Sequence, residues 1–299
     1  MTEFKGSFVA IVTPFLKGEI DEDKFADLIN WQIESGTNGI VACGTTGESP
    51  TLSHKEHETV IRFCVEVADG RVPVIAGTGS NSTDEAISLT KHAMNDGASA
   101  ALLVNPYYNK PSQEGIYLHY KAVADNVDIP LIVYNIPGRT SSEVTVDTLI
   151  RLADHPSIVG VKDAVGDLNK TTELISRLGP EFIVLSGDDA LTFPMMALGG
   201  HGVISTTANI IPERMASLAK AALEGDFETA RKLHFDNIGL MNAMFYETNP
   251  VPVKTALAMM GRVTEEFRLP LTAMSQTNRE KLQAAMQKSG ALTHEAING

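Results

Sequence analysis

"IVGVKDAVGDLNKTTELISRLG", residues 158–179, holds the pattern on which the fold turns. Residues 158–164 form a short apolar run with Gly160 inside it and Lys162 at its end. Residues 169–179 then place apolar side chains at helical spacing. The same succession recurs along the chain, for example "GIVACG" before "SHKEHETVIRFCVEVADG" and "AALLVNP" before "SQEGIYLHYKAVADN". About eight such units follow one another at a spacing of roughly 25–35 residues, as βα repeats do. The runs are apolar on both faces, which predicts a parallel sheet covered by helices. Asp21, Ser53 and Ser82 stand where helix N-caps belong, and Gly36, Gly70 and Gly97 where helices close. Eight units in a row predict an α/β fold of the closed (β/α)8 TIM-barrel type. An open doubly wound sheet would carry G-x-G-x-x-G after its first strand, and "AIVTPFLKG" has none. The barrel is expected over residues 1–210, its last helix running to about 225. Residues 226–299 read as a C-terminal helical region, with "THEAING" as a frayed tail.

Composition narrows the class of function. The chain has 299 residues, 43% of them hydrophobic, enough for one large core with an appendage. Lys and Arg number 24 against 37 Asp and Glu, a net charge of −13 that repels phosphate backbones and argues against nucleic acid. Two cysteines, Cys43 and Cys64, make neither a disulfide framework nor a zinc site and are expected to be reduced and packed. The start "MTEFKGSFVAIVTPF" lacks the pattern of a signal peptide, and no apolar run is long enough to span a membrane. A cytoplasmic enzyme is expected.

In a barrel of this kind, chemistry sits where the strands end. Those ends read "GTTGES", "NPYYNKP", "YNIPGRT", "VKDA", "SGDD" and "ISTTAN", so hydroxyls, phenols, one lysine and one arginine converge on one rim. No cluster of His, Asp and Glu has metal-ligand spacing. A lysine held in a dry pocket loses ammonium solvation, its pKa falls, and the neutral amine can attack a ketone to form an iminium. If Lys162 points inward, Gly160 does too, and space is expected beneath the amine. A lysine snorkelling to solvent is the competing reading. Tyr134 ends the neighbouring strand, where its phenol can carry protons for the amine. The "GTTGE" turn offers N–H groups and two hydroxyls to a carboxylate, and Arg139 offers a planar fork to a second one.

These strand ends, together with "PVIAGTGSNST", "GGHGVIS" and "NPVPVKTAL", stand in an order that resembles the dihydrodipicolinate synthase family over nearly the whole chain. The resemblance implies condensation of pyruvate with aspartate 4-semialdehyde through a lysine Schiff base, without metal or organic cofactor. It makes Lys162 the Schiff-base lysine and Tyr134 the proton donor and acceptor, linked through Thr45 to Tyr108. Thr46 would hold the pyruvate carboxylate, Ile204 would line the pyruvate site, Gly187 would lie beside the pocket, and Arg139 would bind the semialdehyde carboxylate. Tyr108 would complete the site of a neighbouring subunit in a homotetramer, a dimer of dimers. Feedback inhibition by L-lysine is also implied, at Ser49, Leu52, His54, His57, Asn81, Glu85 and Tyr107, with Pro50 where sensitive relatives often carry a small residue. Sister families, such as N-acetylneuraminate lyase and 2-keto-3-deoxy sugar acid aldolases, share the lysine and tyrosine. Thr45 with Thr46, the tyrosine pair and Arg139 separate this chain from them. A catalytically silent barrel that only binds an oxo acid is the reading from another class.

Overall fold

The computed structural model of the chain describes residues 4–292. Eight parallel strands, β1 (Gly6–Ala10), β2 (Gly39–Ala42), β3 (Val74–Gly77), β4 (Ala100–Val104), β5 (Leu131–Asn135), β6 (Ile158–Asp163), β7 (Ile183–Ser186) and β8 (Gly202–Ser205), close into a barrel in sequence order. Each is followed by a helix: α1 (Glu22–Glu34), α2 (His54–Ala68), α3 (Thr83–Asn95), α4 (Gln113–Ala124), α5 (Val146–Ala153), α6 (Leu168–Leu178), α7 (Thr192–Ala197) and α8 (Pro212–Leu223). The TIM barrel expected from the repeat is therefore present.

Alternation along the strands explains why both faces are apolar. Phe8, Val41, Ile75, Leu102, Ile132 and Leu185 fill the barrel interior, while Val9, Ile40, Leu103, Val133 and Val161 lie under the helices. Helix starts follow local chemistry. Asp21 accepts a hydrogen bond from the Lys24 N–H, and Ser53 forms a reciprocal capping box with Glu56. Ser82 occupies the N-cap of α3 without a side-chain cap bond. Gly36, Gly70 and Gly97 all have positive φ after their helices.

Strand β6 contains one irregularity that matters for the site. Ile158 pairs with Leu131, but Gly160 pairs with Ile132, so Val159 is an extra residue. Beyond this bulge Lys162 lies in register with Tyr134 on one side and Leu185 on the other. Both neighbours belong to the interior cluster, so Lys162 points into the barrel. Gly160 shares that face, yet the expected space is taken. A Cβ there would lie 2.5 Å from the Ile183 carbonyl oxygen and 2.7 Å from Ile183 Cβ. The glycine permits close approach of β6 and β7.

After the barrel come α9 (Phe227–Ala243), α10 (Val251–Met259) and α11 (Gln276–Ser289). Leu240, Met241, Val253, Leu257, Leu282 and Met286 enter the same buried cluster as Val9 and Ile40. The C-terminal helices thus share a core with the first barrel units. The tail read as frayed, residues 293–299, lies outside the described residues. Cys43 and Cys64 are buried free thiols. Among the described residues no helix is long and apolar enough to cross a membrane.

The β6–β7 contact gives a direct stability test. Gly160→Ala forces a methyl against backbone and is expected to destabilise the fold by about 1–3 kcal/mol, measured by denaturant unfolding.

Candidate active site

Lys162 is only 7% exposed although it stands at a strand's C-terminal end. Its Nζ lies 4.2 Å from the centroid of the Tyr134 ring. Burial lowers its pKa from the ordinary lysine value to about 7; the Asp189 carboxylate opposes the shift and the Arg139 guanidinium adds to it. Tyr134 is pushed the other way, up to about 12, by burial, with Arg139 opposing. Near neutral pH the site therefore contains an amine that can lose its proton beside a phenol that keeps its own.

A cavity opens over this pair at the strand ends. Lys162, Tyr134, Thr45, Thr46, Arg139 and Gly187 all line it. Gly187 is required by proximity. A Cβ there would approach Lys162 Cε to 3.1 Å and Ala164 Cβ to 2.7 Å. Ile204 packs in the interior cluster with Tyr134 and is not among the lining residues.

The "GTTGE" turn, residues 44–48, is closed by N–H bonds from Gly47 to the Gly44 carbonyl and from Glu48 to the Thr45 carbonyl. Among the described residues, the N–H groups of Thr45 and Thr46 donate to no protein acceptor. Adjacent unused N–H groups on a cavity wall suit an anion. The Thr46 hydroxyl accepts from Asn249 Nδ2 at 3.0 Å, which leaves its own proton free to donate. The Asn249 carbonyl accepts from Arg139 Nη2 at 3.1 Å. Arg139 itself rides on a single helical turn, Pro137–Thr140, directly after β5.

Asn249, Asp189 and Phe245 were not singled out from the sequence. Asn249 and Phe245 line the cavity from the C-terminal region, more than 80 residues past the lysine, where no strand-end rule points. Asp189 lies in "SGDD", and that rim position was the available signal. One of its oxygens takes N–H bonds from Thr206 and Thr207 and the Thr207 hydroxyl; the other is buried with no partner among the described residues.

The tyrosine relay expected from the resemblance is not seen in this chain. Thr45 and Tyr134 share the cavity, but among the described residues no hydrogen bond joins them, and Tyr108 stands 88% exposed in a left-handed backbone conformation.

A second cavity of about 250 Å³ adjoins the first and shares Thr45 and Tyr134 with it. Ser49, Leu52, His54, His57, Glu85 and Tyr107 line it, as does Pro50. Asn81 stands just behind, its Nδ2 donating to the Tyr107 carbonyl at 3.1 Å. Hydrogen bonds from the Ser80 hydroxyl and from His54 lower the pKa of Glu85 and keep it anionic. His57 Nε2 is 2.7 Å from the Gly77 carbonyl and must donate to it. Burial lowers the His57 pKa, so the ring is neutral and its buried Nδ1 is an acceptor without a partner among the described residues.

The model of the dihydrodipicolinate synthetase family matches residues 3–289. The 4-hydroxy-tetrahydrodipicolinate synthase of Thermodesulfovibrio yellowstonii is 60% identical over 289 residues, 97% of this chain and 99% of that protein. A chloride-inhibited dihydrodipicolinate synthase from Acinetobacter baumannii, solved in complex with pyruvate, superposes with a TM-score of 0.96 at 50% identity, covering 97% of this chain and all of that one. The enzyme from Cyanidioschyzon merolae, solved with lysine bound, gives 0.94 at 39% identity over 97% of this chain and 99% of its own. The relatives bear the name of a lyase, and this chain is an enzyme of that class. With its rim residues gathered around one buried lysine and nearly its whole length matched, the chain belongs to the dihydrodipicolinate synthetase family.

Proposed function

We propose that this enzyme condenses pyruvate with L-aspartate 4-semialdehyde through a Schiff base on Lys162. The product is 4-hydroxy-tetrahydrodipicolinate, in the first committed step of diaminopimelate and lysine synthesis. One observation carries the reading: a buried amine with a pKa lowered to about 7, set against a tyrosine, in a cavity also lined by Thr45 and Thr46, whose N–H groups have no protein acceptor among the described residues. A silent binder would have no need of a desolvated amine. The pyruvate complex of the Acinetobacter relative supports the same substrate.

The steps follow from the groups present. The pyruvate carboxylate rests on the Thr45 and Thr46 N–H groups and the Thr46 hydroxyl, which presents C2 to Lys162 Nζ. The neutral amine adds to C2, Tyr134 supplies the proton that lets water leave, and an iminium remains. Loss of a C3 proton gives an enamine, and C3 attacks the aldehyde carbon of the semialdehyde, whose oxygen takes a proton. The substrate's own amine then closes on C2 and releases Lys162, with one water lost overall. Arg139 faces the cavity with a fork suited to the second carboxylate.

Tyr107 and Tyr108 are exposed aromatics on one loop, a surface suited to a second copy of the chain. We infer a dimer of dimers in which Tyr108 enters the partner's site and completes the proton path from Thr45 and Tyr134. For the second cavity we infer L-lysine as a feedback inhibitor. The anionic Glu85 suits the side-chain ammonium, and the lysine complex of the Cyanidioschyzon relative supports the ligand.

Borohydride reduction in the presence of pyruvate, followed by intact mass, tests the chemistry. A single adduct on Lys162 is expected, and Lys162→Ala should abolish it while leaving the fold intact; labelling that persists in the variant sinks the assignment.

The pH dependence follows from the amine. Below about pH 7 Lys162 is protonated, so kcat/KM for pyruvate should fall about tenfold per pH unit on the acid side and level off above the pKa. A flat profile between pH 5 and 8 would contradict a lysine that must first lose its proton.

Titration with L-lysine should inhibit the enzyme, and Glu85→Ala should weaken that inhibition about tenfold or more, the range of a lost charge-assisted bond. Inhibition that survives the substitution unchanged places lysine elsewhere.

A further inference from the structure

The "GTTGE" turn is held from behind by an ion pair that the reaction does not use. Glu48 and Lys254 have side chains with no exposure, and they are paired to each other across 206 residues of sequence. The second Glu48 oxygen accepts from the Arg268 N–H at 3.3 Å. Lys254 Nζ also lies 4.2 Å from the Phe15 ring and 5.4 Å from the Phe267 ring, so it is boxed in on several sides. Glu48 has φ +55°, a left-handed conformation uncommon for a residue with a side chain. Its N–H closes the turn onto Thr45, and its carbonyl accepts from the N–H and hydroxyl of Thr51.

A buried ion pair is a poor source of stability, because well-packed apolar residues of similar size often serve as well. Its distinctive property is direction. The carboxylate fixes where Glu48 points, and Glu48 is only two residues along the chain from Thr46. Lys254 and Asn249 belong to one short segment, "NPVPVK", residues 249–254. That segment therefore touches the turn twice, at the Thr46 hydroxyl and at the Glu48 carboxylate.

We propose that Glu48 and Lys254 are positioning residues for the keto-acid carboxylate, holding the Thr45 and Thr46 N–H groups at the angle at which they receive it. This rests on the reading of that turn as the pyruvate carboxylate site.

The test is a double variant, Glu48→Gln with Lys254→Met. It leaves no buried charge unpaired, and the glutamine still offers an oxygen to Arg268. The quantity read is the pyruvate concentration giving half-maximal borohydride trapping on Lys162, beside the trapping yield at saturation and the melting temperature. A rise of about tenfold or more in half-saturating pyruvate, with near-native melting and yield, is expected, since a misdirected anion site weakens binding without removing the amine. A folded double variant with unchanged half-saturating pyruvate overturns the proposal and makes the pair a purely structural one. If the double variant does not fold, Lys254→Arg keeps both charges but displaces the carboxylate. The same rise supports the proposal there, and an unchanged value overturns it. Failure of trapping in the wild-type enzyme would instead overturn the Schiff-base reading, so the two failures are distinct.

Discussion

Everything at this site depends on keeping one ammonium group away from water. Lys162 would hold its proton to about pH 10.5 in an unfolded chain but releases it near 7 in the barrel. Between those values the unfolded state binds more protons, so this residue's contribution to stability improves as pH rises and is worst below 7. The displacement corresponds to about 5 kcal/mol against the fold at low pH, to order of magnitude. That figure is already net of the Asp189 carboxylate, which opposes the shift set by burial, and of Arg139, which adds to it. It is carried by a closed barrel whose interior has no edge to fray. The bulge at Val159 matters for the same reason, because it brings the lysine into register with the inward-facing Tyr134 and Leu185.

How much of this was legible in the sequence depended on distance along the chain. The βα repeat is written locally, in runs such as "IVGVKDA" and the helix that follows, and the barrel was readable from it. Lys162, Tyr134, Arg139 and the "GTTGE" turn were readable because strand ends in a barrel must meet at one rim, whereas Gly187 came only with the family resemblance. Asn249, Phe245 and Lys254 were not, because they come from a helical region whose placement over the rim depends on tertiary packing. Gly160 was read half correctly: it faces inward, but the adjacent strand's own backbone occupies the room it leaves. Proximity between two strands is set by barrel geometry and has no one-residue signature. Tyr108 is a third kind of case, since its role came only with the family resemblance and in this chain it stands in solvent.

The two cavities share a wall. Thr45 and Tyr134 line both, so an occupant of one rests on side chains that shape the other. Any effect is reciprocal by linkage: a ligand that disfavours keto-acid binding is itself disfavoured by the keto acid, by the same factor. No long path is needed to connect them. Glu85 is fixed on one side of the outer cavity by direct hydrogen bonds with His54 and from the Ser80 hydroxyl.

The tether between Glu48 and Lys254 also has a consequence in time. During synthesis at about 5–20 residues per second, the lysine follows the glutamate out by roughly 10–40 s. A nascent chain can complete several βα units in that interval, yet its anion-binding turn waits for a partner that the ribosome has not made. Until then the carboxylate must stay hydrated, and the turn cannot bury it. Burial of that turn is therefore deferred until residue 254 has been made, whatever the order in which the strands pair.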